Sequence, residues 1–155
     1  SGMYEADDEA VFCVPLFIMN DRPDLAVLSR ADGVHLGQDE LSVRDARLVL
    51  RPEMLVGVST HSIEQARRAV LDGADYIGVG PTFPSSTKSF DVFPGLELVG
   101  AVADEIRLPA FAIGGIDAVN VASVVKAGLR RVAVGGAVVK ADDPATAAEA
   151  LRRML

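Results

Sequence analysis

Tyr76-Ile77-Gly78-Val79-Gly80-Pro81-Thr82-Phe83-Pro84-Ser85-Ser86-Thr87-Lys88 is the stretch on which the fold turns. It opens as a short apolar run carrying two glycines and closes as a polar loop. Gly78 and Gly80 remove side chains where a neighbouring strand or a ligand approaches the backbone. Pro81 and Pro84 stop the strand and stiffen its exit. Ser85, Ser86, Thr87 and Lys88 then set three hydroxyls and one ammonium on a loop. Hydroxyls and loop amides donate hydrogen bonds and a lysine supplies charge, so the set suits a phosphate. Taken alone, it is better described as a Ser/Thr-rich turn with a solvated lysine, and the rest of the chain shifts that balance.

Working outward, the same grammar repeats. Short β-branched runs, each followed by a helix-period segment, occur at Phe12–Met19, Gly33–Gly37, Met54–Ser59, Tyr76–Gly80, Ala110–Ile113 and Arg131–Val134. Ser42 is placed to cap a helix carrying Val43, Ala46, Val49 and Leu50 on one face. Ser62 and Gln65 read as a capping box, with Gly73 ending that helix. Leu96–Ile106 reads as a helix, Asp117 as the cap of the next, and Asp143-Pro144 as the start of the last. Strand-helix units in series specify a parallel sheet with crossover helices. An open doubly wound sheet and a (β/α)-barrel both fit, and six units are two short of a barrel.

The totals narrow the function. With 155 residues the chain is expected to form one domain, residues 1–3 reading as a tag scar. A net charge of −7, 5% aromatic residues and no Trp argue against a nucleic-acid partner. The single Cys13 excludes an intrachain disulfide or a cysteine-rich zinc site and reads as a buried thiol. No run is long enough for a membrane span and no signal pattern is evident, so a cytoplasmic location is expected.

In either architecture the chemistry lies beyond the carboxyl ends of the strands. The residues there are Asn20-Asp21, Gln38-Asp39-Glu40, Ser59-Thr60-His61, Ser85 to Lys88, Gly114-Gly115 and Gly135-Gly136. Asp21 with Asp39 or Glu40 can hold a hard cation such as Mg²⁺, though Asp21 is equally placed to cap the helix after it. The glycine pairs each precede a helix start, which favours phosphate, or simply serve packing. His35 alternates with Val34 and Leu36 and is expected to be a hydrogen-bonded core or barrel-lining histidine rather than a catalyst.

The segments Asn20-Asp21-Arg22, Gly33 to Glu40, Gly57 to Ser62, Asp75 to Pro81, Ser86-Thr87-Lys88 and Ala112 to Ile116, in this order and spacing, resemble the thiamine-phosphate synthase family. The resemblance covers the chain from about Pro15 onward. It implies an α/β fold of the (β/α)₈ TIM-barrel type, here partial with about six strand-helix units. It implies a transferase that joins hydroxymethylpyrimidine diphosphate to thiazole phosphate and releases pyrophosphate with Mg²⁺. The family's mechanism is dissociative, passing through a pyrimidine cation that the thiazole nitrogen attacks.

By position, the resemblance gives Asn20 and Ser59 to the pyrimidine diphosphate and Asp21 to the metal. The second metal carboxylate falls on Glu40, with Asp39 beside it, because the family usually has Glu-Asp where this chain has Asp-Glu. Ser85, Ser86 and Thr87 fall on the thiazole-phosphate side, and Lys88 on the departing pyrophosphate. Gly115, Gly135 and Gly136 fall on the thiazole phosphate; a serine is usual where Gly136 stands. The catalytic assignments are Lys88 and Ser59. The family's first two units, with a Gln-Leu-Arg-x-Lys segment, have no counterpart before Phe12, and Tyr4–Ala10 reads as the tail of the second helix. Six units leave two unpaired strand edges, so a homo-oligomer is expected. The thiazole tautomerase branch has a catalytic histidine where this chain has Pro81, which favours the synthase. A phosphate-binding relative without turnover is the other alternative.

Overall fold

The computed structural model describes residues 15–84 and 94–155. Six parallel strands form one sheet in which spatial order equals chain order. The strands are β1 (Ile18–Asn20), β2 (Gly33–Leu36), β3 (Leu55–Thr60), β4 (Tyr76–Val79), β5 (Ala110–Ile113) and β6 (Val132–Ala133). The helices are α1 (Pro23–Leu28), α2 (Val43–Val49), α3 (Ile63–Asp72), α4 (Gly95–Glu105), α5 (Val121–Lys126), α6 (Gly136–Val139) and α7 (Pro144–Arg153). The sheet curls as a partial barrel, as an all-parallel succession of strand-helix units requires.

Strand alternation sorts the side chains. Val34, Leu36, Val56, Val58, Ile77, Val79, Ala110 and Ala112 are buried and form the layer beneath the helices, with Ala26, Ala46, Ala66, Val99, Val102, Val121 and Val124. Small alanines on the helices let them seat closely on this β-branched surface. The register pairs His35 with Gly57 and Gly57 with Tyr76, and one step further pairs Ser59 with Gly78 and Gly78 with Phe111. These residues occupy the other, concave face.

The helix signals hold at most ends. The Ser42 hydroxyl accepts from Asp45 N at 3.1 Å, that of Ser62 from Gln65 N at 3.3 Å, and the Asp143 carboxylate from Ala145 N and Thr146 N at 3.1 Å each. Gly73 ends α3 at φ 83°, the left-handed conformation expected of a terminal glycine.

Four expectations need correction. The first strand does not run over the whole of Phe12–Met19: within the described residues it is Ile18–Asn20. Ahead of it, Phe17 N donates to the Asp32 carboxylate at 2.7 Å rather than to a ladder carbonyl. Asp117 does not cap α5 directly. Its carboxylate closes a turn by accepting from Val119 N and Asn120 N at 2.8 and 3.1 Å, and the helix starts at Val121. Gln65 reaches back to His61 N at 2.6 Å, one residue before the cap, so the reciprocal half of the capping box is displaced. Val49 is 47% exposed, because Val43, Ala46 and Leu50 fill the buried stripe of α2 and Val49 falls beside it.

Candidate functional site

The carboxyl ends of β1, β2 and β3 bring together the acids and the serine that the sequence singles out. β1 ends at Asn20, in register with His35, and Asp21 N donates to His35 O at 2.8 Å. This bond ties the first strand's exit to the second strand. Asp21 sits at φ 61°, a left-handed conformation that Asp and Asn adopt more readily than other side-chain-bearing residues. The amide of Asn20 donates to the Asp21 carboxylate at 2.6 Å and so holds one of its oxygens. α1 has no side-chain cap, and Asp21 therefore does not serve the capping role open to it in the sequence.

Beyond β2, the Glu40 carboxylate folds back over Gly37 and fills the space a Cβ there would need. Asp39 is exposed beside it. The Gln38 amide donates to Ser59 O at 2.5 Å, locking the β2 exit to the end of β3. Nothing in the sequence singles out Gln38 for this; its position in the exit loop is the only signal.

The concave face carries a polar chain. Tyr76 Oη lies 3.1 Å from His35 Nδ1, and His35 Nε2 lies 2.9 Å from Ser59 Oγ. The tyrosine reaches across β3 because Gly57 leaves its side-chain volume open; the phenol ring occupies it. At Gly78, by contrast, a Cβ would meet the imidazole only in ordinary contact, 3.4 Å from its Cε1. Phe111 closes edge-on against Tyr76 at 5.6 Å between ring centroids. His35 is thus a hydrogen-bonded lining histidine, one of the two placements expected of it. Burial pushes its pKa down, opposed by the Asp21 charge. Burial likewise raises the Tyr76 phenol to about 12, reinforced by Asp75. Tyr76 is the site residue that sequence reasoning passed over, since an apolar strand gives a tyrosine no visible partner.

On the far side of the rim, the Gly114-Gly115 pair is required by packing. Both have positive φ, 100° and 62°, and a Cβ on Gly115 would lie 2.6 Å from Pro84 O and 2.7 Å from Phe83 O. Thr82 N and Phe83 N donate to Ile113 O and Gly114 O at 2.8 and 3.0 Å, so the β4 exit is laced to the β5 exit. Gly80 stands as close: a Cβ there would overlap Ile113 O. Gly135 and Gly136 differ, having no heavy atom within 4 Å of either Cβ position and so open space before α6. Ser85, Ser86, Thr87 and Lys88 lie outside the described residues.

Asp21, Asp39 and Glu40 offer only hard oxygen donors at two adjacent strand exits, a set that fits a Mg²⁺ completed by substrate oxygens. Among the described residues no group of three or more His, Cys, Asp or Glu side chains could hold a metal by itself. No helix among them is long and apolar enough to cross a membrane.

Parallel strands in chain order, each followed by a helix, define a (β/α)-barrel segment, with acids, a serine and open glycines on its carboxyl rim. A family model described as thiamine monophosphate synthase matches residues 13–138, and the chain belongs to that family. Thiamine-phosphate synthase of Rhodopirellula baltica is 53% identical over 145 residues, which cover 90% of this chain and 39% of the relative. The Anaeromyxobacter dehalogenans protein of the same name is 48% identical over 86% of this chain and 60% of its own length. The chain therefore spans about two-fifths to three-fifths of these curated relatives. Among solved structures, thiamine phosphate pyrophosphorylase from Pyrococcus furiosus superposes with a TM-score of 0.81 at 37% identity, over 90% of this chain and 66% of that one.

Proposed function

We propose that this chain carries the metal-binding and phosphate-binding part of a thiamine-phosphate synthase site, for the transfer of a hydroxymethylpyrimidine group from its diphosphate to a thiazole phosphate. The observation that carries the reading is the placement of Asp21, Asp39-Glu40 and Ser59 at the exits of three adjacent strands, in a member of this family. Asn20 and Ser59 hold the pyrimidine diphosphate. Asp21 and Glu40, with Asp39 in reach of the same loop, hold Mg²⁺, whose charge offsets the diphosphate in a chain of net charge −7. Lys88 stabilises the departing pyrophosphate, and Ser85, Ser86 and Thr87 face the thiazole phosphate. On that same phosphate the open backbone of Gly135 and Gly136 donates, with Gly115 beside it.

The bond between the pyrimidine methylene and the diphosphate oxygen breaks, and the thiazole nitrogen supplies the electron pair for the new carbon–nitrogen bond. The protein's part is to orient the two substrates and to neutralise the leaving group. The location is cytoplasmic, where such phosphorylated substrates are available. β1 and β6 each pair on one side only among the described residues, and self-association through these edges gives a homo-oligomer.

Pyrophosphate release on mixing both substrates with Mg²⁺ tests the activity, with Lys88→Ala as control. Release that needs both substrates and falls in the control is expected. Thiazole phosphate binding without release reduces the proposal to a half-site, and the absence of both release and binding overturns it. Light scattering at micromolar concentration tests the oligomer, and a monomer refutes it.

A further inference from the structure

We infer that Tyr76 and His35 are positioning residues that fix Ser59 as a hydrogen-bond donor toward an anionic ligand oxygen. The inference rests on the reading that Ser59 faces the diphosphate.

The three side chains lie in one line, Tyr76 Oη to His35 Nδ1 at 3.1 Å and His35 Nε2 to Ser59 Oγ at 2.9 Å. A neutral imidazole has one N–H and one lone pair, so the line runs in one of two directions. In the first, the phenol donates to Nδ1 and Nε2–H donates to the serine oxygen. In the second, the serine donates to Nε2 and Nδ1–H donates to the phenol oxygen, leaving the serine only as an acceptor. Two chemical preferences select the first. A phenol is a far stronger acid than an aliphatic alcohol and so is the better donor to an imidazole nitrogen. An aliphatic hydroxyl oxygen is the better acceptor, because the phenol oxygen gives electron density to its ring.

The consequence falls on Ser59. Its oxygen is occupied by Nε2–H, so its own proton is free to point at a ligand. Successive donors in one direction also polarise one another, which strengthens the last. A phosphate oxygen accepts such a bond and a phosphate has nothing to give to the opposite arrangement. The geometry is held from outside the line as well. Gly57 makes room for the phenol, Phe111 stacks edge-on against it, and Gln38 holds the Ser59 carbonyl.

Two measurements on the chain decide the inference. Two-bond ¹H–¹⁵N correlation on the labelled protein reads the tautomers of its two histidines, with His61→Gln assigning the signals. The expected result is His35 protonated at Nε2, shifting toward Nδ1 in Tyr76→Phe. The Nδ1–H tautomer in the unmodified chain overturns the inference, whatever the function. Calorimetry with inorganic pyrophosphate and Mg²⁺ then reads the effect on binding. Tyr76→Phe and Ser59→Ala are each expected to weaken it about threefold to tenfold, the worth of one hydrogen bond, and the double variant no further. If Ser59→Ala weakens binding and Tyr76→Phe does not, the positioning role is refuted. If the unmodified chain binds no pyrophosphate, the functional reading above fails, and the tautomer still settles the direction of the line.

Discussion

The phenol ring of Tyr76 stands in the volume that a side chain on Gly57, its register partner on β3, would occupy. A strand glycine ordinarily weakens a sheet; here it admits a cross-strand aromatic and, through it, the His35 contact. Gly57→Ala places a methyl group on the ring atoms. We expect a loss of about 1–3 kcal/mol, the usual cost of overpacking, from urea denaturation. The Nε2–H signature of His35 should be lost in the same variant.

The alkaline limb of stability follows from the same tyrosine. Its folded pKa, about 12, lies above the unfolded value near 10. The folded state therefore holds the proton more tightly. This contribution is complete below about pH 10 and is lost as pH rises toward 12. Denaturation midpoints should fall over that window, and Tyr76→Phe should flatten the fall. Tyrosinate absorbance should show one of the chain's two tyrosines ionising late.

Asp21 combines a ligand's side chain with a special backbone. Asn tolerates φ 61° almost as well, so Asp21→Asn should leave stability within about 0.5 kcal/mol. A β-branched residue does not, and Asp21→Val should cost about 1–2 kcal/mol more. If Asp21 binds the metal, Asp21→Asn should abolish the Mg²⁺-dependent part of pyrophosphate binding while thermal unfolding barely moves.

Thr60 is fully buried and its hydroxyl donates to Gly78 O at 2.8 Å, linking β3 to β4 just beneath the rim. Thr60→Val keeps the shape and removes the donor. The expected cost is about 1 kcal/mol by denaturation, with pyrophosphate affinity unchanged.

What the sequence made legible was whatever is encoded locally. Ser42, Ser62, Gly73 and Asp143-Pro144 mark their helix ends because caps are short-range chemistry. The alternation of His35 between Val34 and Leu36 marked it as a hydrogen-bonded core or lining residue. What stayed hidden depends on three-dimensional neighbours. Tyr76 faces Gly57 directly across the ladder, and 19 residues separate hydrogen-bond partners such as His61 and Gly80 in the chain; no local pattern reports such meetings. The two glycine pairs look alike in sequence. Only their surroundings separate Gly114-Gly115, demanded by the loop packed on it, from Gly135-Gly136, which nothing crowds.

Because, among the described residues, each strand pairs only with those immediately before and after it in the chain, the sheet has a direction of assembly. During synthesis every strand after β1 finds one of its partners already made. Contact order stays modest for an all-parallel sheet, which shortens the interval in which apolar strands stand uncovered. The rim follows the same order, with Asp21, Glu40 and Ser59 at successive strand ends that precede both glycine pairs in the chain.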